Sequence, residues 1–97
     1  MTEINTAVVG SRYHDGALDA LYRAAEGQAV ELVRQPDNKY DPNAVQVLIG
    51  EVMCGFVPRQ DAVQVAAKLD AGKTVTAQVY GGTRLKIEIV EGDDGDR

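Results

Sequence analysis

A tyrosine with polar neighbours in the sequence is a candidate for binding a ligand. Tyr40 lies in the segment PDNKYDPN, residues 36 to 43, which two prolines and four Asp or Asn residues mark as the longest loop. An exposed ring there can stack on a nucleic-acid base, a contact worth about 1–3 kcal/mol. The alternative is a ring that folds back onto the protein or stiffens the turn. Asp41 follows directly and offers carboxylate oxygens that accept hydrogen bonds.

A second tyrosine, Tyr80, ends a strand predicted over residues 74 to 80. The two-residue period puts Tyr80 on the polar face of that strand, together with Thr76 and Gln78. The next residues are Gly81 and Gly82, which lack a Cβ and let a ligand backbone approach closely. Tyr80 is therefore a candidate for stacking, and the alternative is an ordinary strand tyrosine, since aromatic residues favour strands.

Two arginines are candidates for phosphate contacts. Arg12 precedes Tyr13 in a polar turn after the first predicted strand, and a guanidinium can bind phosphate with two parallel hydrogen bonds. Arg59 follows Pro58 at the predicted start of a helix, where backbone N–H groups and the helix dipole favour anions. The alternative for Arg59 is a solvated basic residue.

Catalytic interpretations have less support. Asp37 and Asp41 could share a Mg²⁺ ion in a metal-dependent nuclease, but Asp residues in a loop with prolines more often form turns. Cys54 is the only cysteine and His14 the only histidine, which excludes an internal disulfide and a multi-histidine metal site. No glycine-rich phosphate-binding motif is present. We therefore expect no enzymatic activity, no metal and no cofactor.

The elements that must hold these side chains are predicted from periodicity and turn residues. Six short strands and two helices in the order β-α-β-β-β-α-β-β indicate a mainly β fold, a small six-stranded barrel whose openings the helices cover. The strands are predicted at residues 4 to 10, 29 to 35, 44 to 49, 52 to 57, 74 to 80 and 84 to 90, and the helices at 16 to 26 and 59 to 71.

The apolar pattern also predicts which side chains are buried. Asp15 is the expected N-cap of the first helix, and Gly27 its expected end. Its buried stripe is predicted to contain Leu18, Leu21, Tyr22 and Ala25, and that of the second helix Ala62, Ala66 and Leu69. The predicted core of the sheet is Val8, Val30, Leu32, Val45, Val47, Val57, Val75, Val79, Ile87 and Ile89.

Composition places these elements in one domain. The chain has 97 residues, of which 44% are hydrophobic and 26% charged, as in ordinary globular proteins. No apolar run is long enough for a membrane span and no signal peptide is apparent, so we expect a cytoplasmic protein. The net charge of −5 argues against a broad basic face, although residues 91 to 97 account for −3 of this charge. We expect a folded domain over residues 1 to 90 and a disordered acidic tail over 91 to 97.

Four segments in order resemble the HIRAN domain family. They are VVGSRYH, LVRQPDNKYDPNAVQV, CGFVPRQDA and AQVYGG, and the resemblance covers roughly residues 6 to 90. It implies a stand-alone HIRAN domain, monomeric, with a barrel related to the OB-fold. It also implies binding of single-stranded DNA at its free 3′-hydroxyl end, in DNA repair or replication-fork processing, with a helicase or a nuclease as partner.

The resemblance assigns roles to six residues. Tyr40 matches the loop aromatic that packs on the terminal base, and Asp41 the acid that accepts a hydrogen bond from the 3′-hydroxyl. Arg12 and Tyr13 match a pair that grips the DNA backbone. Arg59 falls at a phosphate-contacting position, and Tyr80 where an aromatic gives a second stacking surface. The alternative is a protein-interaction adaptor with the same barrel and no DNA affinity, which the acidic balance would explain.

Overall fold

Six strands form one antiparallel sheet that curls into a half-barrel. The structure, a computed structural model, describes residues 1 to 90, and the tail predicted at residues 91 to 97 lies outside them. The strand order is β1-β6-β5-β2-β3-β4, which confirms the mainly β, OB-like architecture with six strands and two helices. The strands are β1 Thr2–Ala7, β2 Ala29–Arg34, β3 Val45–Ile49, β4 Val52–Phe56, β5 Val75–Val79 and β6 Arg84–Ile89.

Two helices and one short turn complete the fold. A single 3₁₀ turn, Ser11–Tyr13, leads into α1, Ala17–Arg23, which packs against β4. The longer helix α2, Arg59–Asp70, packs against β3 and β5 and begins after Pro58, as predicted. None of the helices in the described range has the length and apolarity that crossing a bilayer requires.

The first helix differs from its prediction in its start, its end and its buried face. Gly16, in the left-handed conformation with φ 79°, takes the N-cap position in place of Asp15, and no side chain caps the helix. The helix ends at Arg23 because Ala24 is already extended. Ala17 and Leu21 form the buried face, whereas Leu18 and Tyr22 are exposed. The helix presents this face because only one side of its two turns reaches β4.

A bridge between Val9 and Phe56 joins the two edge strands of the sheet. The N–H of each residue donates to the carbonyl of the other, at 2.9 Å. Strand β1 was predicted over residues 4 to 10 but ends at Ala7, because the chain then leaves β6 to reach β4. Gly55 permits this approach, since a Cβ on it would lie 2.3 Å from the Val9 carbonyl oxygen. The bridge closes the curled sheet at one end.

The core confirms most of the predicted buried positions. Seven of the ten predicted side chains are buried, namely Val8, Val45, Val47, Val57, Val79, Ile87 and Ile89. Val30, Leu32 and Val75 are only partly buried, because the β2–β5 register pairs just Ala29 with Gln78 and Val30 with Ala77. Beyond these pairs a cleft between β2 and β5 exposes the flanking side chains.

Candidate functional site

A small cavity lies beside the bridge that closes the sheet. Its volume is about 220 Å³, below the ~300–1,000 Å³ typical of pockets for drug-sized ligands. The lining joins an apolar part from both edge strands to a polar part from the loop before β3 and the start of α2. The apolar part is Val9, Ala44, Phe56 and Val57, and the polar part is Asn38, Tyr40, Asp41 and Arg59.

Asn38 shapes the loop that carries Tyr40. Its Oδ1 accepts hydrogen bonds from the backbone N–H groups of Tyr40 and Asp41, at 2.8 and 3.0 Å. Its Nδ2 donates to Gln35 Oε1 at 2.7 Å, so the side-chain amide is held from both ends. The sequence analysis did not single out Asn38, although an Asn two residues before the ring is the spacing of an Asx turn.

The Tyr40 ring stands out from this turn into solvent. It is 76% exposed, and the Lys39 ammonium lies 5.2 Å from the ring centroid. The structure therefore supports an exposed ring and not one that folds back onto the barrel. A flat, exposed aromatic face with a cation beside it can accept a stacked base.

The two oxygens of Asp41 have different surroundings. Oδ1 accepts a hydrogen bond from the Asn43 N–H at 2.9 Å, which orients the carboxylate. Oδ2 forms an ion pair with Arg59 Nε at 3.6 Å, which is longer than a hydrogen bond. The Asp41 side chain is only 18% exposed, yet it lines the cavity. Oδ2 therefore keeps acceptor capacity for a donor that enters the cavity.

Arg59 connects the start of α2 to the Tyr40 loop. Its Nη2 donates to the Tyr40 carbonyl at 2.6 Å, while the side chain remains 71% exposed. The predicted position at the start of the helix is thus observed, and the guanidinium turns towards the loop. It places a positive charge at the cavity with donors left over for an anion.

The Arg12–Tyr13 pair lies on the 3₁₀ turn, and neither residue lines this cavity. Ser11, the first residue of the turn, is buried and donates its hydroxyl to the Cys54 carbonyl at 2.7 Å. The Arg12 guanidinium lies 5.3 Å from the centroid of the Tyr13 ring. The next residue, His14, contacts the Phe56 ring, with centroids 6.1 Å apart. Because Phe56 also lines the cavity, His14 connects the end of this turn to the site.

Tyr80 lines a different concavity. It follows the last residue of β5, which ends at Val79 and not at residue 80 as predicted, and it lies in a depression of about 480 Å³ that also contains Glu3, Arg84 and Lys86. Its hydroxyl donates to Gln78 Oε1 at 2.9 Å. A hydrogen bond with the Tyr80 side chain raises the pKa of Lys86, whose ammonium lies 5.0 Å from the ring centroid. Tyr80 was expected to give a second stacking surface, and the cavity that holds Tyr40 does not include it.

A metal site requires several ligand side chains that lie close together. Among residues 1 to 90, no group of three or more His, Cys, Asp or Glu side chains could hold an ion. Asp41 uses Oδ1 for the Asn43 N–H, as a turn-forming aspartate does.

A curled antiparallel half-barrel of six strands, with two helices packed against it, defines an OB-like domain. The chain belongs to the HIRAN domain family, whose model matches residues 1–89. The fold is similar to that of the HIRAN domain of human HLTF. That comparison has a TM-score of 0.76, covers 90% of this chain and 74% of the other, and shows 24% sequence identity. At this identity the likeness concerns the fold.

Two further comparisons agree with this assignment. A crystal structure of a protein from Lactobacillus plantarum matches with a TM-score of 0.69 and 25% identity, over 90% of this chain and 99% of the other. A Fanconi-associated nuclease 1 homolog from Oryza sativa subsp. japonica is 35% identical over an alignment of 71 residues that covers 69% of this chain. The chain spans only 7% of that relative's length.

Proposed function

We propose that this domain binds single-stranded DNA and captures its free 3′-hydroxyl end. The observation that carries the proposal is the Asp41 carboxylate, which uses Oδ1 within the loop and keeps Oδ2 for a donor in the cavity. A 3′-hydroxyl is such a donor, and O–H···O⁻ bonds are among the stronger hydrogen bonds. A 3′-phosphate would instead bring negative charge against the carboxylate, which is unfavourable.

The rest of the site accommodates one terminal nucleotide. The exposed Tyr40 ring gives a stacking surface, and Val9 and Phe56 give the apolar floor of a cavity of about 220 Å³. A volume of this size suits one planar base and not a run of bases. Asn38 has both ends of its amide committed to the protein, so it has little capacity to read base edges. The domain therefore recognises the 3′ end of the DNA and not its base sequence.

The number and position of the positive charges agree with a domain that contacts only a few DNA phosphates. Arg59 lies at the cavity and Arg12 on the adjoining turn, while the net charge is −5. Two phosphate contacts predict a plot of log affinity against log salt with a slope of about −1.4 for single-stranded DNA. A slope of this size distinguishes end capture from binding along a basic groove.

The domain acts as a binding module and performs no catalysis of its own in this proposal. Support comes from the plant relative, named as a nuclease homolog, in which a segment like this chain forms a small part of a much longer protein. We accordingly expect a nuclease or a helicase of DNA repair as the partner, because a captured 3′ end must be delivered to an enzyme that acts on it.

The test is fluorescence anisotropy with short single-stranded oligonucleotides labelled at the 5′ end, ending in a 3′-hydroxyl or a 3′-phosphate. Wild-type protein should bind the hydroxyl form more tightly. Tyr40→Ala should weaken binding to both forms by roughly fivefold to a hundredfold, the loss of one stacking contact. Asp41→Asn should remove the preference between them. Matched controls are Tyr22→Ala, an exposed tyrosine on α1, and Asp37→Asn, in the same loop but not lining the cavity.

The acidic balance of the chain favours a second candidate, a protein-interaction adaptor with the same barrel. Absence of binding to either oligonucleotide by folded protein would refute the proposal and favour this adaptor. Equal binding to both forms, with a steep salt dependence, would refute end capture and leave a general DNA-binding surface.

A further inference from the structure

Arg34, the last residue of β2, makes an unusual set of contacts outside the cavity. Its side chain is 17% exposed. Nη1 donates to the Ala44 carbonyl at 2.8 Å, and Nη2 donates to the Pro42 carbonyl at 3.0 Å. These two carbonyls flank Asn43, whose N–H orients Asp41 through Oδ1. Arg34 therefore holds the stretch of backbone that sets the direction of the Asp41 carboxylate.

Asp70, the last residue of α2, holds Arg34 in turn. Its Oδ1 accepts from Arg34 Nε at 2.9 Å and its Oδ2 from Arg34 Nη2 at 3.3 Å, which makes a two-pronged pair. Arg59, the first residue of the same helix, donates to the Tyr40 carbonyl. Both ends of α2 thus hold the loop, directly through Arg59 and by way of Arg34 from Asp70.

We propose that Arg34 and Asp70 are positioning residues that give the site its preference for a 3′-hydroxyl over a 3′-phosphate. This inference rests on the proposed function and deepens it, since neither residue lines the cavity. Without the Arg34 contacts, the Pro42 carbonyl loses this donor and the Ala44 carbonyl keeps only the Gln35 N–H, so the Asn43 N–H is held less firmly. The Asp41 carboxylate then loses part of the fixed orientation that keeps one of its oxygens available to the ligand.

The geometry of the guanidinium matters more than its charge. Arg34 spreads its donors over the two carbonyls and both Asp70 oxygens, through nitrogens in one rigid plane. A lysine ammonium carries the same charge at a single point and cannot span these acceptors. Arg34→Lys should consequently disturb the site nearly as much as Arg34→Gln.

The experiment measures the ratio of the two dissociation constants, for 3′-phosphate and 3′-hydroxyl oligonucleotides, in wild type, Asp70→Asn and Arg34→Lys. Both substitutions should lower this ratio by roughly threefold to tenfold, the effect of losing one ordinary hydrogen bond. The control is Asp19→Asn on α1. It removes another ion pair between an arginine and an aspartate, in which Arg23 Nε lies 2.8 Å from Asp19 Oδ1. It should leave the ratio unchanged.

A merely structural role would weaken binding to both oligonucleotides equally and keep the ratio, and that result would overturn the inference. A second readout needs no DNA. Hydrogen exchange of the Asn43 amide, followed by NMR, should be faster in Asp70→Asn than in wild type or Asp19→Asn, and unchanged exchange would also overturn it. If wild type shows no preference between the oligonucleotides, the proposed function fails, and the Asn43 amide still decides whether Arg34 and Asp70 position the loop.

Discussion

Replacement of Gly55 by alanine should open the closed end of the barrel. The added Cβ would lie 2.3 Å from the Val9 carbonyl oxygen and 2.8 Å from Val8 Cγ1. The Val9 carbonyl is backbone, and it accepts the Phe56 N–H in the bridge, so it cannot move away without breaking that hydrogen bond. Relief of the clash therefore requires the two edge strands to separate.

Two contributions determine how much the free energy of unfolding falls in Gly55→Ala. Loss of the two bridging hydrogen bonds costs about 1 kcal/mol each. The φ of 139° at Gly55 lies where side chains are strained, which adds about 1–3 kcal/mol. We expect the free energy of unfolding to fall by about 3–5 kcal/mol, a large fraction of the ~5–15 kcal/mol of a typical domain.

The assay is urea denaturation of Gly55→Ala beside Gly72→Ala. Gly72 also has a positive φ, 78°, but an added Cβ there would meet nothing within 4 Å, so this variant reports backbone strain alone, about 1–2 kcal/mol. Because Val9 and Phe56 line the cavity, folded Gly55→Ala should also lose oligonucleotide affinity. Equal destabilisation in the two variants would refute the argument that close approach at Gly55 closes the barrel.

Two further predictions follow from burial. Ile87→Ala empties a fully buried position and should cost about 2–5 kcal/mol in urea denaturation, whereas Leu18→Ala should change stability by no more than about 0.5 kcal/mol. Similar costs would contradict the observed face of α1. Burial raises the pKa of the Cys54 thiol above its ordinary 9.0. As the pH rises through that value the unfolded chain ionises first, so the free energy of unfolding should fall towards the raised pKa. Cys54→Ala should show a shallower decline between about pH 8 and about pH 10, and identical slopes would contradict it.

The order of elements and most of their bounds could be predicted because the signals are local. Alternating residues indicated the strands, and Pro58 indicated the start of α2. The first helix was predicted less well. Its short apolar pattern is compatible with more than one buried face, and contact with β4 selects Ala17 and Leu21.

The candidate residues of the site could be named from the sequence, but their positions relative to one another could not all be predicted. Tyr40, Asp41 and Arg59, three of the six residues to which the resemblance assigns a role, line one cavity. Tyr80 was predicted within the strand, but it follows the end of β5 and lines another concavity. Alternation specifies which face of a strand a residue occupies, and it carries no information on how a curled sheet places that face relative to a distant loop.

The sequence by itself determined the local geometry of the binding loop, because Asn38 and Asp41 accept hydrogen bonds from backbone two or three residues away. Only the tertiary structure decided which distant groups complete it. Arg59 reaches the Tyr40 carbonyl across 19 residues, and Asp70 holds Arg34 across 36. These contacts depend on the curl of the sheet and the docking of α2, which arise when the whole core packs.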